Sequence, residues 1–371
     1  MKIGLVVQGG FDRGGRERVI PALLWLVERL SRRHDVHVFV LDYYPEPCSY
    51  PLLGATIHDL GRVAAPRGLR RPQIGRRLAA ALARIGPFDL LHAYGGMPAG
   101  VVTTRLARRL GVACVLTLDS GELVAIDDIA YGLQRRFVDR RAMARAIRDA
   151  AAVTVCTAFM ARFLAGHNAH PHIIPLGVDA ARFPAVDRPD GPPWRLLRVG
   201  SLNRVKDYPT LLEAMKMIAA RLPDVHLDIV GEDTLGGEIQ MLTGRLQLRD
   251  HVTFHGFQPT DLLAAFYSRA DLNLVSSRHE AANVTVLEAA CTGLPTVGTR
   301  VGYVDDWHPD RAVGVPTRDP AALGEAIVAL LGDTTARRRL GVAARAWALE
   351  HDADRTATAF ERLYSDLTQR R

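Results

Sequence analysis

Residues 277–299 read SRHEAANVTVLEAACTGLPTVGT, which predicts a loop, a helix and a short strand in succession. Asn283 can cap the helix, because asparagine is among the residues preferred at that position. An apolar stripe follows, and Gly293 and Pro295 end the helix. The apolar run 295–299 is typical of a buried strand. This order of elements is expected in a parallel α/β sheet.

Two glutamates in this segment carry its chemical information. Glu280 lies in the predicted loop, and Glu288 lies about one turn inside the predicted helix. This placement directs both carboxylates to the helix N-terminus, where free backbone N–H groups attract phosphate. Carboxylates do not hold phosphate, but they suit neutral hydroxyl groups of the same ligand, such as those of a ribose and a sugar. The pattern favours a sugar nucleotide, and the alternative is a pair of solvated glutamates at a chance spacing.

The segment closely resembles the E-x7-E signature of family 4 glycosyltransferases, which have the GT-B fold. The resemblance implies an α/β chain with two doubly wound Rossmann-like domains facing a central cleft. It implies transfer of a sugar, with retention of configuration, from a nucleotide-diphosphate sugar to a glycan, lipid-linked or small-molecule acceptor. Two other classes stay open: a nucleotide-sugar epimerase of the same fold, and a nucleotide-sugar-binding protein without catalytic activity.

The rest of the chain divides into two α/β halves. Residues 3–7, 18–32 and 36–41 predict a strand, a helix and a strand, with a glycine-rich turn after the first strand. The second half begins in the same way, with a strand at 194–199 and a helix at 208–221. Alternating strands and helices with short connections predict parallel, doubly wound sheets.

The domain boundaries follow from a proline-rich linker at about 176–193. We expect an N-terminal domain on the acceptor side over residues 1–175, and a donor-binding domain over residues 176–351. The resemblance allows a C-terminal helix, 352–371, to pack back on the first domain. Ligands of such sheets lie at the carboxyl ends of the strands, so we expect the site in the cleft between the two domains.

A second segment, residues 199–212, resembles the family's strand-end loop that binds the donor diphosphate. Lys206 falls on the phosphate-binding lysine, and Glu280 on the glutamate that orients the sugar. The family commonly has arginine directly after the glycine, where this chain has Ser201, and Arg204 is then the candidate for a second positive charge. The resemblance implies the following donor-binding residues: Gly14, Gly15, Arg204, Gly231, Glu232, Phe257, Asn283, Val284 and, at the ribose, Glu288.

One position departs from the family pattern. After the predicted strand 114–118 the family usually has a histidine that contacts the donor sugar, and this chain has Asp119. An aspartate accepts a hydroxyl hydrogen bond, but it donates one at neutral pH only if its pKa is raised. We expect Asp119 to accept from the donor sugar and to join Lys206 and Glu280 as a catalytic residue. His92 either faces the same site or packs a loop.

The positive charge is concentrated in the first half of the chain. Residues 1–170 carry 24 Lys and Arg against 14 Asp and Glu, while the remainder carries 23 against 26, within a net charge of +7. The excess comes largely from clusters at 67–84 and 135–148. A solvated arginine face is one interpretation, and peripheral contact with the anionic inner face of a membrane is the other. Nucleic acid is not expected, because aromatic residues are sparse and no binding motif occurs.

The sequence also predicts the location of the protein and the absence of a metal or a cofactor. No apolar run approaches the roughly 20 residues needed to cross a bilayer, and the short N-terminal run before the first glycines reads as a strand. Four scattered cysteines, Cys48, Cys114, Cys156 and Cys291, predict reduced thiols and a cytoplasmic protein. No metal-binding cluster is evident, so we expect neither a metal nor a cofactor.

Overall fold

The computed structural model describes residues 1–167 and 169–369. The last two residues of the predicted helix 352–371 and the side chain of Arg67, in the first basic cluster, lie outside the described part. The chain forms two compact units. The first unit is Met1–Leu176 together with the C-terminal helix, and the second unit is Gly177–Asp352.

The first unit is built on an eight-stranded sheet. Its strands are β1 (Lys2–Val7), β2 (Asp35–Val40), β3 (Cys48–Leu52), β4 (Ala55–Asp59), β5 (Leu90–Tyr94), β6 (Ala113–Leu118), β7 (Ala152–Val155) and β8 (His172–Ile173). Its helices are α1 (Pro21–Ser31), α2 (Arg67–Ile85), α3 (Val101–Leu110), α4 (Phe137–Asp149), α5 (Ala158–Arg162) and α13 (Ala353–Gln369). The strand order is β3-β4-β2-β1-β5-β6-β7-β8, and every pair is parallel except β3–β4.

The second unit is built on a six-stranded parallel sheet. Its strands are β9 (Trp194–Val199), β10 (Val225–Val230), β11 (Val252–Phe254), β12 (Leu272–Val275), β13 (Thr296–Thr299) and β14 (Ala312–Val315). Its helices are α6 (Tyr208–Arg221), α7 (Glu238–Arg245), α8 (Thr260–Arg269), α9 (Val284–Cys291), α10 (Tyr303–Trp307), α11 (Pro320–Gly332) and α12 (Thr334–Glu350). Residues 196, 211, 215, 227, 323 and 327 form part of a core in which α6 packs against α11.

Both sheets change winding direction next to their first strand. In the second unit the order β11-β10-β9-β12-β13-β14 is the 3-2-1-4-5-6 order of dinucleotide-binding folds, with the reversal between β9 and β12. In the first unit the reversal lies between β1 and β5. The prediction of two doubly wound α/β domains is confirmed, and each unit has a crevice where such sheets bind ligands.

Two features of the first unit were not predicted. The antiparallel pair β3–β4 forms the edge of the sheet and contains Pro51, which an edge strand tolerates. Helix α2 spans the first basic cluster, and its buried side chains Ile74, Leu78 and Leu82 recur every four residues. This narrow apolar stripe attaches an otherwise arginine-rich helix to the unit.

Candidate functional site

Lys206 and Glu280 form an ion pair at the reversal point of the second sheet. The Lys206 ammonium donates to Glu280 Oε1 at 2.6 Å, and the Glu280 side chain is only 9% exposed. Lys206 lies in the loop after β9, and Glu280 lies in the loop after β12. These two strands are neighbours in the sheet, so their carboxyl ends bring together residues 74 positions apart in sequence.

Backbone and hydroxyl contacts fix the two loops against each other. Asn203 caps a turn of 3-10 helix by accepting from the Lys206 amide at 3.2 Å. The Ser276 hydroxyl donates to the Lys206 carbonyl at 2.7 Å, and the Arg278 amide donates to the Val205 carbonyl at 2.7 Å. The position of the lysine therefore depends on both loops and not on its own helix alone.

A buried arginine completes the cluster. Arg198 is fully buried on β9 and donates to the Ser277 hydroxyl at 2.9 Å and to the Leu274 carbonyl at 3.3 Å. Its guanidinium lies 3.9 Å from Glu280 Oε1, and the Ser277 hydroxyl donates to that oxygen at 2.6 Å. Two cations and one hydroxyl thus surround a single carboxylate.

The charge state of Glu280 follows from these partners. Burial on its own raises the pKa of this carboxyl, but Lys206, then Arg198, then the hydrogen bonds from Lys206 and Ser277 lower it. The net shift lowers the pKa of Glu280, so the group is ionised at neutral pH. The cluster carries a net positive charge, which is the sign that favours an anionic ligand.

Glu288 lies in a different environment. It is 3% exposed on α9, and its Oε2 accepts from the Tyr267 hydroxyl at 2.6 Å. Burial raises the pKa of Glu288 to about 7, against a smaller lowering effect of the Tyr267 hydrogen bond. Glu288 therefore changes charge near neutral pH, whereas Glu280 does not.

Asn283 occupies the N-cap position of α9, but its side chain does not cap the helix. Its φ of 75° is left-handed, its Oδ1 accepts from the Thr285 hydroxyl at 2.6 Å, and its Nδ2 lies 3.4 Å from Glu280 Oε1. The predicted capping role is wrong, because the side-chain oxygen is already used by Thr285. Asn283 nevertheless joins the Lys206–Glu280 cluster, and Val284 begins the helix beside it.

The glycine after β10 marks a close approach of two loops. The Gly200 amide donates to the Val230 carbonyl at 2.8 Å, and a Cβ at Gly231 would overlap the Gly200 carbonyl. Glu232 is exposed beside this point, and Phe257, in the loop after β11, is 49% exposed. These residues line up along the carboxyl ends of neighbouring strands, as the sequence predicts.

Arg204 lies outside the cluster. Its guanidinium donates to Glu238 at 3.2 Å on the surface, and its side chain is 58% exposed. The second cation beside Lys206 is Arg198. One feature of the sequence indicates Arg198. A charged residue within the mostly apolar strand WRLLRV is unusual in a sheet that is covered on both faces.

In the first unit, Asp12 organises the glycine-rich loop after β1. It accepts from the Gly14 amide at 3.0 Å, from the Tyr44 hydroxyl at 2.8 Å and from Arg18 at 2.9 Å. Gly15 has a φ of 63°, a left-handed conformation that glycine adopts without strain. Gly14 is exposed on this loop.

Asp119 lies at the carboxyl end of β6, in the wall of a cavity of about 630 Å³. The loops after β1, β5 and β6 form this cavity, and Glu122 lies beside Asp119 in its wall. Burial, and then the charge of Glu122, raise the pKa of Asp119 well above its usual value. Lys206 and Glu280 belong to the second unit and Asp119 to the first.

His92 packs inside the first unit. It is fully buried, with Nδ1 2.6 Å from the Tyr364 hydroxyl and Nε2 2.7 Å from the Thr117 hydroxyl. Burial lowers the pKa of His92 to about 3, so the imidazole is neutral. The interpretation of His92 as a ligand-facing residue is wrong; it connects β5 to β6 and to α13.

Metal-binding clusters and membrane-spanning helices are both absent from residues 1–167 and 169–369. No group of three His, Cys, Asp or Glu side chains in this part of the chain could hold a metal ion. None of the helices within it is long and apolar enough to cross a membrane.

Two family models match the chain, with one in each half. Residues 19–177 match the Glycosyl transferase 4-like domain, and residues 180–347 match Glycosyl transferases group 1. The chain is 30% identical over 299 residues to a GDP-mannose-dependent alpha-(1-6)-phosphatidylinositol monomannoside mannosyltransferase from Mycolicibacterium smegmatis, covering 74% of this chain and 76% of that protein. The chain belongs to the group 1 glycosyltransferases.

The glycosyltransferase also resembles a D-inositol 3-phosphate glycosyltransferase from Arthrobacter sp. It is 27% identical to that protein over 379 residues, which cover 94% of this chain and 89% of the relative. Sucrose-phosphate synthase from Thermosynechococcus elongatus has the same fold, with a TM-score of 0.86, 23% identity and full coverage of both chains. The predicted GT-B fold of the family 4 type is confirmed, and the protein is an enzyme that transfers sugars.

Three partners of the predicted residues were not found from sequence. They are Arg198 beside Glu280, Tyr267 beside Glu288, and Glu122 beside Asp119. Glu122 was visible as a second acid in the turn after β6, three residues beyond Asp119. Tyr267 lies on α8, and no local spacing links it to α9.

Proposed function

We propose that this glycosyltransferase uses a nucleotide-diphosphate sugar, binds it on the second unit, and transfers the sugar with retention of configuration. The observation that carries the proposal is the Lys206–Glu280–Arg198 cluster at the reversal point between β9 and β12. Parallel sheets of this order bind nucleotides at this edge, and the N-termini of α6 and α9 face the same loops.

Each residue of the cluster has a proposed role. Lys206 and the buried Arg198 stabilise the charge that develops on the leaving diphosphate as the glycosidic bond breaks. Glu280 is held as an anion, and it orients the sugar by accepting from hydroxyl groups. Because Lys206 already neutralises Glu280 at 2.6 Å, an incoming diphosphate competes with this carboxylate for the lysine.

The remaining donor contacts are assigned along the same edge. Glu288 accepts a hydrogen bond from a ribose hydroxyl, while the Tyr267 hydroxyl donates to its Oε2. Gly231 and Glu232 border the nucleoside, and Phe257 is available to the base because half of its surface is exposed. Asn283 and Val284 place the N-terminal N–H groups of α9 near the diphosphate. Gly14, Gly15 and Asp119 remain proposed contacts from the first unit.

The names of the relatives suggest the substrates. One relative is GDP-mannose-dependent, and the names of both contain an inositol that carries a phosphate. We propose GDP-mannose as the first donor to test, and an inositol phosphate or a phosphatidylinositol glycoside as the acceptor class.

A ligand screen followed by product analysis tests the proposal. Purified protein is heated with UDP-, GDP-, ADP- or TDP-sugars, and a donor at 100 times its dissociation constant should add about 2.7 kcal/mol to stability. The selected donor is then incubated with D-inositol 3-phosphate, and proton NMR reads the anomeric configuration of the product. Failure of every nucleotide sugar to bind contradicts the donor assignment, and an inverted product contradicts retention. Release of an isomerised sugar without acceptor identifies an epimerase.

The first unit also offers a surface for an anionic membrane, which we propose as a peripheral partner. A groove of about 710 Å³ between α3 and α4 is lined by Arg71, Arg105, Arg108, Arg109, Arg145 and Arg148. Phe137 and Val138 at the start of α4 are 57% and 65% exposed. Arginines beside exposed apolar residues are the composition of interfacial surfaces.

A further inference from the structure

Two carboxyl groups, those of Asp119 and Glu122, lie in the wall of the cavity in the first unit. Asp119 is partly exposed in its wall, and Glu122, three residues later, is 3% exposed. Both follow β6, at the carboxyl edge of the sheet. The pair is local to one turn, so its geometry is set within the first unit.

Backbone N–H groups hold both oxygens of Glu122. The Gly96 amide donates to Oε1 at 2.9 Å, and the Ser120 amide donates to Oε2 at 2.7 Å. A Cβ at Gly96 would overlap Glu122, so the glycine is needed for this approach. Donors on both oxygens favour the ionised form of a carboxyl group.

Two carboxyl groups in the wall of one cavity disfavour each other's ionisation, because like charges repel where little water screens them. Burial, reinforced by the charge of Glu122, raises the pKa of Asp119 well above its usual value. Burial also raises the pKa of Glu122, and its own backbone N–H and those of Gly96, Ser120 and Asp119 offset only part of that rise. Because N–H groups donate to both Glu122 oxygens, Glu122 is the better anion of the two, and the proton of the pair is assigned to Asp119.

The other ionisable groups around the cavity do not reverse this assignment. They are Tyr94, Tyr131, Arg135, Arg136, Asp139 and the nearby Cys156. Arg135 donates to Asp127 at 2.9 Å, and Arg136 lies 3.8 Å from Asp139. Each of these cations therefore forms an ion pair with an acid other than Asp119 and Glu122. Burial raises the pKa of Cys156 to about 12, which keeps this thiol neutral.

We infer that Glu122 keeps Asp119 in its neutral acid form, so that Asp119 donates a hydrogen bond to a hydroxyl-bearing ligand in the cavity. Glu122 acts as a positioning residue, and Asp119 makes the contact. A neutral Asp119 offers the O–H donor that a histidine would offer at this position of the family. The inference reverses the expectation that Asp119 only accepts, and its part in sugar transfer rests on the proposed function.

The first test detects the protonation state of Asp119 directly and needs no substrate. Protein labelled with ¹³C at the aspartate carboxyl carbons is examined by NMR between pH 5 and pH 9. One resonance should keep the position of a protonated acid at pH 7 and should disappear in Asp119→Asn. The control Asp250→Asn, at an exposed site, should leave that resonance in place. If every aspartate is ionised at pH 7, the inference is wrong whatever the enzyme transfers.

The second test asks whether position 119 acts without a negative charge, because asparagine is neutral and can both donate and accept. Turnover is measured with GDP-mannose, or with the sugar nucleotide that the thermal screen selects in its place. Asp119→Asn keeps an N–H donor and should retain turnover within about threefold, whereas Asp119→Ala should lose at least about tenfold. Affinity for the bare nucleotide should not change in either variant. Equal losses in both variants, or full turnover in Asp119→Ala, overturn the inference.

A third variant tests whether Glu122 acts through the protonation state of Asp119. Glu122→Gln removes the neighbouring charge, so Asp119 should ionise at a lower pH and its protonated resonance should be lost earlier in the titration. Turnover of Glu122→Gln should then recover as the pH is lowered, which a merely structural defect would not do. An unchanged Asp119 resonance in this variant contradicts the role of Glu122.

Discussion

At the residue scale, the role that we propose for Lys206 depends on how this lysine is shared between Glu280 and the donor. The lysine is part of an ion pair in the protein, so its bond to a diphosphate replaces an existing interaction. Such an exchange contributes little to ground-state binding. It contributes more in the transition state, when the leaving diphosphate carries additional charge.

We predict that Lys206→Ala reduces kcat by about 100-fold, equivalent to about 2.7 kcal/mol, and raises the donor dissociation constant less than tenfold. Single-turnover kinetics and a nucleotide-sugar titration measure the two quantities separately. Lys216→Ala is the matched control, because Lys216 is an exposed lysine on α6. A variant that binds the donor poorly but turns over normally when saturated would show that Lys206 only anchors the diphosphate.

Glu288 makes the stability of the second unit depend on pH near neutrality. Its pKa in the folded protein is about 7 against 4.5 as the ordinary value, because it is buried. The folded state therefore binds this proton more tightly than the unfolded state. The contribution to stability is fully present below pH 4.5 and is lost as the pH rises to about 7.

We predict that Glu288→Gln becomes more stable relative to the wild type as the pH rises from 5 to 8. The change in the difference between the two free energies of unfolding should be roughly 2–3 kcal/mol. Urea denaturation at both pH values measures this difference, and pairing the variants removes the contributions of Asp119 and Glu122. Parallel pH profiles for the two proteins would mean that Glu288 is ionised throughout.

At the scale of elements, the loops after β9 and β10 touch at the sheet edge where we propose that the donor binds. Gly200 and Gly231 approach so closely that neither loop can move away without breaking the hydrogen bond from the Gly200 amide to the Val230 carbonyl. Gly231 therefore couples the loop after β10, which we propose borders the nucleoside, to the loop that carries Lys206.

We predict that Gly231→Ala destabilises the protein by at least about 2 kcal/mol and weakens nucleotide binding, because the obstacle is backbone and not a flexible side chain. Gly332→Ala is the control, since no atom lies within 4 Å of a Cβ added there. The control should change stability by no more than about 1 kcal/mol. Thermal unfolding with and without nucleotide measures both effects, and equal behaviour of the two variants would contradict the packing argument.

The same scale explains what the sequence could and could not predict. The strand β9 was predicted with its observed bounds, because its residues are mostly apolar, as in strands buried on both faces of a sheet. Helix α2 was missed because its narrow apolar stripe lies among arginines. Lys206 and Glu280 were found through local patterns, but Arg198 and Tyr267 meet their partners through the sheet and through packing of α8 on α9. The spacing of residues along the chain does not reveal contacts between residues that are distant in sequence.

At the scale of the whole molecule, the two units differ in charge. The first 170 residues hold the positive excess, while the remainder is slightly acidic. On α4, Phe137, Arg141, Arg145 and Arg148 follow one another at helical spacing and share a face. The Arg141 guanidinium lies 4.5 Å from the centre of the Phe137 ring, so the aromatic residue and the cations form one surface. Acids are few on this groove, and Asp149 already pairs with Arg108 at 3.2 Å.

We predict that the protein sediments with vesicles containing phosphatidylserine or phosphatidylinositol and not with vesicles of phosphatidylcholine alone. Each arginine near an anionic surface contributes about 1 kcal/mol, so replacing Arg109, Arg145 and Arg148 by glutamine should weaken binding about 100-fold. Phe137→Ser should weaken it further by removing the inserted ring. Arg249→Gln and Met241→Ser remove one cation and one exposed apolar side chain from the second unit and serve as controls. Binding should decrease as salt rises from 0.05 to 0.5 M, because screening shortens the reach of the charges. Vesicle binding that survives the triple substitution, or that is lost equally in the controls, would assign these arginines to a solvated face.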